Sequence, residues 1–140
     1  YTCEEALEVE GLRIELEESE LKDNTQQTIT KFTDENIITK LKKSKKDYKY
    51  IYVRLNVCNQ SDEDKNIEAL IYNFVMECMP SGWSNGASSE CNKVNLKSGE
   101  STDIKMAYAL NVPENADISK EEFHLVYRTY PQKIMFVLNI

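Results

Sequence analysis

The residues that could do chemistry are few: four cysteines (Cys3, Cys58, Cys78 and Cys91), one histidine (His124) and scattered carboxylates in 140 residues. No cysteine pair has the C-x-x-C spacing of a zinc site, and His124 is remote in sequence from all four thiols. The spacing therefore predicts no metal centre, no cofactor and no Cys–His nucleophilic pair. Ser98 and Ser101 lie in a turn without a nucleophile-elbow pattern, and no glycine-rich phosphate loop exists. His124 falls on the wet parity of its strand, as a surface histidine. The acidic turn Asp62-Glu63-Asp64 could offer oxygens to calcium, but its spacing fits no EF-hand, and acidic turns are commonly solvent-facing. These residue types predict a protein that is not an enzyme.

An even set of cysteines reads instead as two disulfides. Cys78 and Cys91 flank a polar loop, Met79 to Glu90, and a bridge between them would stabilise by about 3 kcal/mol through loop closure. Elimination then pairs Cys3 with Cys58, although three connectivities are open, and four reduced thiols in a cytosolic protein is the alternative. Disulfides imply export, which places the chain outside the cell or at its surface. Tyr1 is not an initiator methionine, and that is compatible with a removed export signal.

Binding residues are read from aromatics. Trp83, the single tryptophan, sits in the loop that a Cys78–Cys91 bridge would staple, and tryptophan is enriched among interface hot spots. Tyr48, Tyr50 and Tyr52 line the outward row of one strand as an aromatic strip suited to protein or glycan contact. The competing arrangement has the long connection 17–47 packed over them, and it is favoured because monomeric domains rarely expose contiguous apolar patches.

The elements that must carry these residues are strands. Tyr48–Asn59 alternates, with Ile51, Val53, Leu55 and Val57 on one row and tyrosines, Arg54 and Asn56 on the other. Leu7 and Val9, then Leu12, Ile14 and Leu16, form a first strand with a bulge or bend at Gly11. Within the polar connection 17–47, Thr28–Phe32 reads as a short strand, and Thr33 caps a short helix over 33–43. Ile67–Met79 reads as one strand with Leu70, Tyr72, Phe74 and Met76 inward. Val94–Leu96, the turn Lys97–Glu100 and strand Thr102–Val112 follow. Ser119–Glu122 is a capped turn, and alternating strands through Phe123, Leu125, Tyr127 and Thr129, and through Ile134, Phe136, Leu138 and Ile140, close the chain. The pattern predicts a single all-β domain over 1–140, an antiparallel β-sandwich.

Formal charge is −7, and residues 1–23 carry all of it, which leaves the remainder neutral. An acidic chain lacks the basic footprint of nucleic-acid binders. The lysine cluster Lys40, Lys42, Lys43, Lys45, Lys46 and Lys49 reads as a solvated loop paired with the acidic N-terminal segment. No apolar run is long enough to span a membrane.

Three segments resemble a known family. Gly11-Leu12-Arg13-Ile14-Glu15-Leu16 is similar to its opening strand, and Tyr50 to Cys58 followed by Asn59-Gln60-Ser61 to its central strand and Asn-x-Ser turn. Leu96-Lys97-Ser98-Gly99-Glu100-Ser101, with the strand leading to Val112-Pro113, is similar to its Gly-Glu turn and closing segment. The family is the immunoglobulin-like domain of unknown function in Firmicute extracellular lipoproteins, related in fold to a mycobacterial secreted immunogenic antigen. The resemblance implies an immunoglobulin-like sandwich, a Gram-positive cell envelope, a lipid anchor in the precursor, and a binding or spacer role toward a protein or envelope ligand. It implies no catalytic residue.

Overall fold

The computed structural model describes residues 2–3, 6–43, 48–79, 82–83, 87–113, 117–128 and 133–140. In chain order its elements are β1 (Thr2–Cys3), β2 (Ala6–Val9), β3 (Leu12–Lys22), α1 (Thr25–Ile29), α2 (Glu35–Lys42), β4 (Tyr48–Asn59), β5 (Lys65–Asn66), α3 (Glu68–Tyr72), β6 (Val75–Met79), β7 (Gly82–Trp83), β8 (Ala87–Cys91), β9 (Asn95–Leu96), β10 (Ser101–Pro113), β11 (Glu122–Arg128) and β12 (Ile134–Val137). They form a β-sandwich. One sheet runs β1-β12-β11-β6-β7, the other β2-β3-β4-β10-β8, and β5-β9 make a small ribbon. Among the described residues only β1 with β12 pairs in parallel.

Alternation dictates this. The inward row of β4 (Ile51, Val53, Leu55, Val57) is fully buried, and it meets Tyr108, Met106 and Ile104 across the antiparallel β10 register. The first sheet contributes Met76, Leu125 and Phe136 to the same core. Each such side chain contributes about 1.5–3 kcal/mol by leaving water. Burial pushes the Tyr108 hydroxyl pKa up, and that hydroxyl donates to the Phe74 carbonyl at 3.2 Å.

Several sequence expectations need correction. Gly11 marks no bulge: Glu10 and Gly11, at φ +51° and +80°, are the two central residues of a hairpin turn, with Val9 opposite Leu12. Positive φ at both residues suits the right-handed twist of the flanking strands. The bulge lies farther on, where the register shifts between Leu16 and Glu18. It re-phases β3, so that Ser19 and Leu21 join the inward row opposite Val53 and Ile51. Residues 17–22 are therefore strand, not the start of a connection.

Thr28–Phe32 is not a strand. Asn24 accepts from the Gln27 amide at 2.9 Å and caps α1, as its short polar side chain favours. The helix expected over 33–43 is present as α2, but Asp34 rather than Thr33 caps it, accepting from the Asn36 amide at 2.8 Å. Lys40 and Lys42 occupy its last turn, where the helix dipole favours cations. Ile67–Met79 splits into α3 and β6. Ile67, Leu70, Ile71 and Phe74 are buried and Tyr72 is 75% exposed. Those buried positions follow the 3.6-residue period rather than alternation.

Part of the N-terminal charge is met by local pairs. Arg13 meets Glu15 and Glu8, and Lys31 reaches Glu18 and Glu20. Lys22 also pairs with Glu20. Lys45 and Lys46 lie outside the described residues.

Candidate binding surfaces

The two outer faces of the sandwich differ. On the second sheet, Tyr50 and Tyr52 stand opposite Ala109 and Ala107 of β10, and the small alanines leave room for the rings. Helices α1 and α2 then close over them. Phe32, Leu41, Tyr50, Tyr52 and Ala107 form a second buried cluster, with Ile29, Ile37 and Ile38 against it. Phe32 meets Tyr52 edge to face at 6.0 Å, and the Lys31 ammonium lies 5.1 Å from the Tyr52 ring centre. Thr25 Oγ1 donates to the Tyr50 hydroxyl at 3.2 Å. Burial, reinforced by Glu18, pushes the Tyr52 hydroxyl up to about 12.

Tyr50 and Tyr52 are thus 3% and 1% exposed, which corrects their reading as a contact strip. The segment expected to compete for them covers them. Tyr48, at the strand's beginning, is half-buried.

Glu90 on β8 fastens this helical cover. Its side chain is 4% exposed. Oε1 accepts from the backbone amides of Thr33 at 2.9 Å and Asp34 at 2.5 Å, and Oε2 lies 3.5 Å from Lys105 Nζ. A carboxylate from one strand thereby sits at the positive end of α2.

The first sheet's outer face has another character. Register places Val75, Glu77 and Met79 of β6 opposite Val126, His124 and Glu122 of β11, and His124 and Val126 opposite Val137 and Met135 of β12. Trp83 on β7 stands opposite Glu77, so its backbone position belongs to this face. Val75, Met79 and Val137 are 41%, 44% and 40% exposed.

A charged cluster occupies the middle of that face. His124 Nδ1 and Glu77 Oε1 are 2.8 Å apart, as are His124 Nε2 and Glu122 Oε1. Carboxylates only accept, so both contacts are hydrogen bonds when the ring carries both protons. Lys133 Nζ donates to Glu77 Oε1 at 2.6 Å. Lys133 above all, then His124, hold the Glu77 carboxyl below its ordinary value against the opposing effect of burial. His124 is on the outward parity but only 8% exposed, because these partners enclose it. Sequence parity locates its face and misses its partners, since only the β6–β11 register brings Glu77 across from it.

The expected disulfides are corrected. Cys58, Cys78 and Cys91 are free thiols. Cys78 lies on β6 of one sheet and Cys91 on β8 of the other. Cys91 Sγ instead donates to the Lys93 carbonyl at 3.4 Å. Cys3 and Cys58 are likewise on different sheets, opposite Phe136 and Arg13 respectively. Burial first, then Glu121 and Glu77, push the Cys78 thiol up to about 11, which leaves it a poor nucleophile. Most of the loop between Met79 and Glu90 lies outside the described residues.

The acidic turn after β4 is organised by Asn59, which is fully buried. Its amide donates to the Glu63 and Leu96 carbonyls at 2.7 and 3.0 Å, and its Oδ1 accepts from Ser61 N and Oγ at 3.0 and 2.7 Å. The Asn-x-Ser segment is thus a folding device that ties the turn to β9. Among the described residues no three His, Cys, Asp or Glu side chains are grouped to hold a metal ion, and no helix is long and apolar enough to cross a membrane.

No family model matches the chain, and neither does any curated protein sequence. Solved structures do match. An uncharacterized β-sandwich protein of Clostridium difficile 630 aligns at a TM-score of 0.58 and 11% identity, covering 96% of this chain and 90% of its own. A functionally unknown protein of Listeria monocytogenes EGD-e aligns at 0.56 and 10%, covering 96% and 81%. A conserved hypothetical protein of Bacillus anthracis aligns at 0.58 and 12%, covering 96% and 94%. At such identities the likeness establishes the fold alone: this chain is a β-sandwich with structural neighbours among Firmicute proteins of uncharacterized function.

Proposed function

We propose that this chain is a non-catalytic, immunoglobulin-like binding module of a Gram-positive cell envelope, exported and lipid-anchored in its precursor, that docks a protein partner on the outer face of its first sheet. One observation carries the reading. The second sheet's aromatic row is roofed by α1 and α2, whereas Val75, Met79 and Val137 stand 40–44% exposed on the first sheet. Strand β12 and its flank read Ile134-Met135-Phe136-Val137-Leu138, a continuous apolar run of the kind found in strands covered on both faces. Apolar side chains around a charged centre of Glu77, His124 and Lys133 suit protein contact, where a dry patch supplies affinity and polar groups supply register.

The test compares retention of the wild-type chain on a solubilised Gram-positive envelope fraction with that of a Met79→Lys/Val137→Lys double variant and an Asp62→Lys loop control. The proposal expects the double variant to lose about tenfold in affinity or more, equivalent to about 1.4 kcal/mol, with the control unchanged. Absence of wild-type retention, or equal retention by all three, refutes the docking face and leaves a spacer.

A further inference from the structure

Lys49 is the one lysine buried among the described residues, at 5% exposure. It continues the inward row of β4 beyond Ile51, so its stem enters between the sheets at one end of the sandwich. There the sheets part around a cavity of about 380 Å³, lined by Leu21 and Lys49 of the second sheet, Phe123 of the first, and Ile118, Leu138 and Ile140. That volume falls within the range of small-molecule sites, roughly 300–1,000 Å³.

The ammonium is poorly compensated. Among the described residues its partner is Asp23 Oδ1 at 3.4 Å, and the Asp23 side chain is 59% exposed. Charge-assisted N–H···O contacts normally close to about 2.7–2.9 Å, and an ammonium has three donors to satisfy. A buried cation with one long contact to an exposed carboxylate retains donor capacity, and Lys49 lines the cavity. Glu121, Glu122 and Ser119 also line the space, but the Glu122 carboxylate is engaged by His124 Nε2 at 2.8 Å.

We propose that this end cavity binds a small amphiphilic monocarboxylate, its carboxylate on Lys49 Nζ and its aliphatic body on Leu21, Ile118, Phe123 and Leu138. A single cation matches one negative charge, and the apolar walls match an alkyl chain. A cationic head group would meet Lys49. The site shares Glu122 with the protein-docking face but does not depend on the docking proposal.

Octanoate, 1-octanol and octylamine, titrated separately near neutral pH, test this by calorimetry, with amide shifts of Leu21, Phe123 and Leu138 locating the ligand. Octanoate is expected to bind about tenfold or more tighter than octanol, with octylamine weakest and the shifts confined to the cavity. Lys49→Met should bring octanoate down to the octanol level while leaving octanol unchanged. Asp23→Asn, at an exposed position, should tighten octanoate severalfold by removing the competing carboxylate. Should Lys49→Met not fold, Asp23→Asn decides alone: tightening supports the site and an unchanged affinity overturns it. Octanol or octylamine binding as tightly as octanoate, octanoate indifferent to Lys49→Met, or shifts remote from the cavity likewise overturn it.

Discussion

Glu90 should act as the fastener of the helical cover, and its removal can be worked out from the contacts it makes. Two backbone amides, Thr33 at 2.9 Å and Asp34 at 2.5 Å, converge on one oxygen, and Lys105 lies 3.5 Å from the other. Hydrogen bonds to a charged group contribute about 1.5–3 kcal/mol each, and two that share an acceptor do not add fully. Glu90→Ala should therefore cost about 3 kcal/mol. Glu90→Gln keeps an acceptor of the same shape without the charge, and should cost about half as much, since charge-assisted bonds are roughly twice as strong as neutral ones. For a chain of this size each kcal/mol lowers the melting temperature by about 3 °C, so the expected shifts are near 9 and 5 °C. The loss should also be local. Amide hydrogen exchange in α2 and at Tyr50 and Tyr52 should accelerate in Glu90→Ala, while the inward row of β4 from Val53 to Val57 exchanges as before once corrected for global stability. A melting temperature within 2 °C of wild type, or exchange that rises equally throughout the molecule, would refute the fastening role.

Three further outcomes follow from the geometry. Because Lys133 and His124 hold the Glu77 carboxyl below its ordinary 4.5, its contribution is fully present above that value and is lost as pH falls through the lowered one. Denaturant titrations of wild type should accordingly lose stability below about pH 4.5 more steeply than those of Glu77→Gln, which starts about 2 kcal/mol lower at neutral pH; parallel pH profiles would argue against the assignment. With Cys58, Cys78 and Cys91 as thiols, alkylation of denatured, unreduced protein should label all three, whereas native protein at pH 8 should protect Cys78, whose thiol is pushed up to about 11. At the turns, Gly11→Ala should cost about 2 kcal/mol or more, because its Cβ would lie 2.9 Å from Ser61 Cβ at a φ of +80°; Gly99→Ala, with nothing within 4 Å at φ +83°, should cost about 1 kcal/mol for the left-handed backbone alone. Equal losses would remove the steric part of that argument.

The sandwich was legible wherever alternation was uninterrupted and the neighbouring row was polar. β4, β10 and β11 could be read directly, because a period of two over seven or more residues has one physical solution. Legibility failed where a local device changed the phase. The bulge at Glu17 shifts the inward row of β3 from even to odd positions, so Ser19 and Leu21 looked like the beginning of a polar connection. In 67–79, Leu70, Phe74 and Met76 satisfy a strand pattern while Ile67, Leu70, Ile71 and Phe74 satisfy a helical one, and packing decides between them. The cysteines failed for a different reason. Their even number and the loop between Cys78 and Cys91 suggested bridges, but Cys58, Cys78 and Cys91 are free thiols, and sequence spacing alone does not fix whether two thiols meet.

Both outer faces turn on one physical point, which is what an apolar outer row means. The row Tyr48, Tyr50, Tyr52 on β4 and the run Ile134–Leu138 around β12 carry similar information: each has more apolar surface facing outward than a solvated strand should leave exposed. For β4 the cover is internal and readable after the fact, since Ile29, Phe32, Ile37, Ile38 and Leu41 recur within twenty residues upstream and Ala107 and Ala109 leave space opposite. For β12 the described residues supply no such cover over Val137. An outer row roofed by its own chain is a core. One left open, beside a charged cluster that fixes orientation, is where a partner would complete the burial.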